Sequence, residues 1–190
     1  FHDIQGLEIY RASAAHCAAH MVYTKQSMSA EQLSQAQMLF IGLFEDARVE
    51  YLAIQDFPGL KKLWISFFIA YQSSNEDTEL HESMGLMIDM AYSLLDETYK
   101  TDIEFIHQIA ADFRTRLVRN PHDNLISWQF GIEFYNHMVE YVAIPSIRIL
   151  ENMPIPYRDD NRYCWAFSEN MFVQEGLDYQ PDSQQQLRRS

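Results

Sequence analysis

Cysteine is nearly absent from this chain: Cys17 and Cys164 are the only two in 190 residues. Two thiols so far apart make neither a zinc framework nor the disulfide scaffold of a small secreted domain, so the cytoplasm is the simpler home. Glycine and proline number only 6 each. So few chain breakers over this length argue against a many-turned sheet and for long helices. No run reaches the ~20 apolar residues of a membrane span. The nearest, Leu60 to Tyr71, is short and carries Lys61 and Lys62. No signal peptide opens the chain, and the start at Phe1 reads as the interior of a longer protein. Positive charge is also scarce, with 14 Lys and Arg against 27 Asp and Glu, a formal net charge of -13. Such a surface repels nucleic acid and anionic lipid and suits a basic partner or divalent cations. Phosphate-loop, nucleophile-elbow and Cys–His nucleophile patterns are all missing, which argues against a self-contained enzyme.

What is present is apolar and aromatic. Apolar residues make up 47% of the chain and aromatic ones 14%, enough to fill a sizeable core. The pattern predicts an all-α, antiparallel bundle of about six helices with a polar C-terminal tail. The first spans about Gly6 to Lys25 and is rich in alanine. The second starts at Ser29, where Ser29 and Gln32 have capping-box spacing, and runs to Phe57 before Pro58-Gly59. The third is Leu60 to Gln72, followed by a polar loop from Ser73 to Asp77. The fourth runs from Thr78 to about Tyr99 and the fifth from Asp102 to Arg119. The sixth spans about Asp123 to Leu150, with Pro145 able to end it early. The bundle is assigned to residues 1–152, a docking segment with Trp165, Phe167, Met171 and Phe172 to 153–176, and a linker or disordered tail to 177–190.

Two segments carry candidate chemistry. In the first helix His16 and His20 are four apart and share one face. Leu7, Tyr10, Ala14, Cys17 and Met21 form an apolar stripe nearly opposite. With so few charges around it, this helix is expected to pack on two sides. In the second helix one stripe is Phe40, Leu43, Phe44, Ala47, Tyr51 and Ile54, and the opposite one is Met38, Ile41, Val49 and Leu52. Glu45 falls within the second stripe, where burial demands a partner; Arg48, one turn on, supplies a structural ion pair. Asp46 and Glu50 share the flank between stripes, and like charges at that spacing repel unless a cation separates them. Two imidazoles and one or two carboxylates, drawn from His16, His20, Asp46, Glu50 and Glu45, would suit Zn, Fe or Mn. The alternative is a purely structural network of hydrogen bonds and ion pairs. His107, His122, His137 and the His81-Glu82 pair read as packing or solvated residues, and the nine Met residues as core filling.

The same segments carry a resemblance. The run Leu7-Glu8-Ile9-Tyr10-Arg11-Ala12-Ser13-Ala14-Ala15-His16-Cys17-Ala18-Ala19-His20 resembles one in NorD-type nitric oxide reductase activation proteins and the related CbbO Rubisco activation proteins. Phe44-Glu45-Asp46-Ala47-Arg48-Val49-Glu50, then Phe57-Pro58-Gly59-Leu60 and Leu63-Trp64, resembles a second block of that family. A shorter likeness, Ala47-Arg48-Val49-Glu50, occurs in the cobalt-chelatase subunit CobT. The resemblance covers residues 7–64, about a third of the chain. It implies a helical region that precedes a C-terminal von Willebrand factor A domain. It also implies a MoxR-type AAA+ ATPase ring as partner and a client enzyme that the pair activates. The Asp-x-Ser-x-Ser of a von Willebrand domain is absent, so the resemblance implies the helical part only, an accessory or adaptor module. It does not imply that the histidines and carboxylates bind metal. The alternative function is a metal-binding helical domain or metalloenzyme using the two-His-plus-carboxylate set between the first two helices.

Overall fold

The computed structural model describes residues 6–74, 82–158, 161 and 164–167. Its described residues form an all-α structure: α1 (Gly6–Tyr23), α2 (Gln35–Asp56), α3 (Gly59–Ser74), α4 (Glu82–Leu95), α5 (Glu104–Arg119), α6 (Leu125–Tyr141) and the single turn α7 (Ile147–Leu150). Two short strands, β1 (Met28–Ser29) and β2 (Trp165–Ala166), pair in parallel, Met28 opposite Trp165. None of these helices is long and apolar enough to cross a membrane.

Helix α2 is the axis of the fold. It packs against α6, α1, α4, α3 and α7, which is why both of its apolar stripes are covered. Every residue from Phe40 to Glu50 is buried, charged ones included. Around it, Phe40, Phe44, Phe113, Phe130 and Phe134 interlock by edge-on, tilted and stacked ring contacts. On the far side Trp64, Phe67 and Tyr157 form a second aromatic group. The approach of α2 to α6 is so close that a Cβ on Gly131 would stand 2.5 Å from the Ile41 Cα, so only glycine fits there.

Several boundaries differ from the sequence reading. Helix α2 starts at Gln35, not Ser29, because the Ser-x-x-Gln spacing occurs twice. The working box is Ser34 with Gln37: the Ser34 Oγ accepts from the Gln37 backbone and the Gln37 side chain accepts from the Ser34 backbone. Ser29 instead pairs with Ala166, and Gln32 takes φ 66°, which no helix tolerates. Helix α4 stops at Leu95, where the Asp96 carboxylate accepts from the Thr98 backbone and hydroxyl and closes a turn. The sixth helix ends at Tyr141: Val142 is extended, and Pro145 precedes a separate turn, α7.

After Asn152, Ile155 and Tyr157 join the main core, while Cys164 and Trp165 form a smaller cluster with Met28, Ala30 and Ile41. Ile155, Tyr157, Cys164 and Trp165 are buried, while Phe167 is exposed. The end of the polar loop, the predicted start of the fourth helix at Thr78, His81, Met171, Phe172 and the tail 177–190 lie outside the described residues.

Candidate functional site

Helix α1 has one buried side. Ala12, His16, Ala19 and His20 face α2, while Leu7, Tyr10, Ala14, Cys17 and Met21 are exposed. The expectation of packing on two sides therefore fails: the stripe that looks apolar in sequence is the outer one, and the histidine side is the inner one. Alanines explain the choice. Ala12 and Ala19 let the backbones approach, and the Trp64 indole N–H donates to the Ala12 carbonyl at 3.2 Å.

The inner face of α1 meets the charged flank of α2. His20 Nε2 lies 3.0 Å from Asp46 Oδ1. His16 Nε2 lies 3.4 Å from the same oxygen, and its Nδ1 lies 3.1 Å from Glu50 Oε1. The two imidazole rings meet edge to face at 4.7 Å. One donor atom from each of His16, His20 and Asp46 falls within 4.8 Å of the others. Among the described residues this is the group of three able to hold a metal ion; Glu50 and Glu45 stand outside it.

Glu50 has another partner. The Arg158 guanidinium donates to it through Nε at 3.2 Å and through a terminal nitrogen at 2.7 Å, and its Nε stands 3.9 Å from Asp46 Oδ2. Arg158 is the site residue that sequence reasoning misses. It lies just past Pro156, in the stretch assigned to a docking segment with no site residue expected in it. The available signal was arithmetical: two buried carboxylates on one flank of α2 need more cation than Arg48 provides.

Glu45 forms a separate cluster one turn away. Arg48 donates to it from Nε at 2.8 Å and a terminal nitrogen at 2.6 Å. The Ser127 hydroxyl of α6 and the Thr24 hydroxyl each donate to it at 2.8 Å. Arg48 uses its remaining donors on the Tyr23 and Pro121 carbonyls, both at 2.9 Å, which ties the end of α1 to the α5–α6 connection. Thr24 joins the two clusters, since its oxygen also lies 3.2 Å from His20 Nδ1.

These contacts fix a tautomer. The Thr24 proton is committed to Glu45, so the Thr24 oxygen can only accept from His20 Nδ1–H. That leaves His20 Nε2 turned toward Asp46 Oδ1, where two acceptor atoms 3.0 Å apart call for a proton or a cation between them. Cys164 Sγ lies 3.7 Å from His20 on the Nδ1 side, away from Asp46.

Electrostatics follow the geometry. Burial by itself would lower the basicity of His16, but the Asp46 and Glu50 carboxylates outweigh it and push its pKa up to about 9. For Asp46 burial opposes ionisation, yet His16, His20 and Arg158 hold it well below the usual carboxylate range. Glu50 is likewise held low against burial, chiefly by Arg158. Tyr157, stacked on Trp64 and edge-on to His16, is driven upward by burial. The carboxylate side of the centre borders a cleft. Asp46, Arg158 and Asn161 line this cleft of about 390 Å³ with Leu39, Leu43 and Leu150. Chemically, the arrangement can hold a proton or a cation among two buried imidazoles and a carboxylate, with Asp46 at the edge of the cleft.

The chain matches no family model, no curated protein and no solved structure.

Proposed function

We propose that this chain is the helical accessory domain of an activation protein of the NorD or CbbO type, which works with a MoxR-type AAA+ ATPase on a client enzyme. The observation that carries the reading is the two-faced first helix. The segments that carry the family resemblance, 7–20 and 44–64, pack on one another around the buried centre: His16 and His20 against Asp46 and Glu50, with Trp64 bonded to Ala12. On its outer side the same helix presents Leu7, Tyr10, Met21 and Val22, with Tyr10 71% and Met21 85% exposed. An exposed run of large apolar side chains is characteristic of a surface that binds another protein. The inner face thus fixes where α1 sits and the outer face offers a partner surface. The formal charge of -13 adds attraction for a basic partner.

The test is capture of a purified MoxR-type AAA+ ATPase by the tagged chain, with and without Tyr10→Ser and Met21→Ser. Both positions are exposed, so the variants keep the fold, which circular dichroism checks. The reading expects capture by the wild type and at least ~10-fold weaker capture by the double variant, equivalent to about 1.4 kcal/mol. Absence of capture, or equal capture by both, would overturn it.

A further inference from the structure

We infer that His16 Nε2, His20 Nε2 and Asp46 Oδ1 are the protein ligands of a divalent first-row metal ion, reached from the cleft that Asp46 and Arg158 line. The inference is independent of the ATPase reading, because metal binding is measured on this chain alone.

Four observations carry it. First, the donor set is two imidazoles and one carboxylate oxygen, the set used for Zn²⁺ and for iron with open positions. Second, the spacing fits a shared ion. Two ligands of a tetrahedral ion with bonds of about 2.0–2.1 Å stand about 3.3 Å apart. The histidine nitrogens lie 3.0 and 3.4 Å from the Asp46 oxygen, and no two ligand atoms of the group are more than 4.8 Å apart.

Third, both rings are held from behind. His20 Nδ1 is fixed by Thr24, which is itself fixed by Glu45 and through it by Arg48 and Ser127. His16 Nδ1 stands against Glu50, which Arg158 clamps with two donors. A carboxylate or hydroxyl behind each ligating imidazole sets its tautomer and aims its other nitrogen, as metal sites require. Here both Nε2 atoms are aimed at one Asp46 oxygen. Fourth, the roles of the acids are divided. Glu50 belongs to Arg158 and Glu45 to Arg48, which leaves Asp46 Oδ1 for the ion. Cys164 lies behind His20 and is not a ligand. Of the three ligands Asp46 lines the cleft, which makes its side of the group the way in for an ion.

The charges also balance. Asp46, Glu50 and Arg158 sum to -1, so a dication with two neutral imidazoles leaves a small positive charge that a bound hydroxide would cancel.

The test is titration of chelator-treated protein with Zn²⁺, Mn²⁺ and, without oxygen, Fe²⁺, followed by calorimetry and metal analysis. One equivalent of at least one ion is expected to bind. His20→Ala and Asp46→Asn should each weaken binding by more than 100-fold, and Thr24→Val by about 10- to 100-fold, while His122→Ala leaves it unchanged. Long-range ¹H–¹⁵N spectra of the wild type decide the matter even if those variants fail to fold. Zn²⁺ should move the Nε2 resonances of His16 and His20 and leave His107 and His122 in place. No saturable site for any of the three ions, unchanged binding in both ligand variants, or perturbation of other histidines instead would overturn the inference.

Discussion

Removing the Glu45 side chain is expected to be among the most damaging single changes to this domain. The Glu45→Ala variant deletes an acceptor that serves Arg48 twice, Ser127 and Thr24, all at 2.6–2.8 Å. Arg48 is fully buried, so its guanidinium would keep the Tyr23 and Pro121 carbonyls but lose its counter-charge. Stripping one partner from a buried pair costs roughly 3–5 kcal/mol, because the survivor is desolvated and uncompensated. For a domain of this size each kcal/mol lowers Tm by about 2–4 °C, so a fall of about 6–20 °C is expected. His16→Ala should cost less, since Asp46 and Glu50 keep Arg158 beside them. The assay is urea unfolding of both single variants, with a double-mutant cycle through Arg48→Met. Because the double variant leaves no orphaned charge, it should cost less than the two singles added together. A loss below about 1 kcal/mol for Glu45→Ala, or strict additivity in the cycle, would refute a buried Glu45–Arg48 pair.

Other expectations are more local. Gly131→Ala should destabilise by roughly 1–3 kcal/mol, measured by the same unfolding, because its Cβ has only Ile41 backbone to displace; a neutral change would mean α2 and α6 are further apart. Arg158→Met should cost roughly 1.5–3 kcal/mol by removing the two charge-assisted hydrogen bonds that clamp Glu50, which keeps His16 as partner, and a stability within ~0.5 kcal/mol of wild type would remove Arg158 from the centre. In chelator, stability should also depend on pH above neutrality. Folding raises the His16 pKa from 6.5 to about 9. The gain is therefore complete below 6.5 and is lost as pH rises through 9. It amounts to roughly 3 kcal/mol, and Asp46 reports the same contact from the other side. Equal unfolding free energies at pH 6 and pH 9.5 would contradict this, after allowance for tyrosines and lysines from a His16→Gln control.

How much of this was readable in the chain varies with the range of the interaction. Helices with strong 3.6-residue patterning are legible: Ile106, Ile109, Ala110, Phe113 and Leu117 fall at helical spacing in the sequence, and all five are buried on one side of α5. Pairs inside one helix are legible too, as with Glu45 and Arg48, because spacing alone sets their geometry. The inner side of α1 was harder. Its sequence offers two faces of similar polarity, and the choice is made by Trp64 and Asp46, which lie on other helices. The start of α2 was misplaced because Ser29 and Ser34 offer equal local caps. Only a pairing with Trp165 and Ala166, more than 130 residues on, removes the first. Arg158 was not legible from pattern at all. Nothing local marks it, and its place follows only once Asp46 and Glu50 are known to be buried together.

Hydrogen–deuterium exchange at the histidine C2 carbons, followed by mass spectrometry, reads the burial of each imidazole separately in the unmodified protein. A centre enclosed between α1 and α2 requires His16 and His20 to exchange far more slowly than His107, His122 and His137, which are exposed. Exchange of all five at similar rates would place those two rings in water and contradict the account.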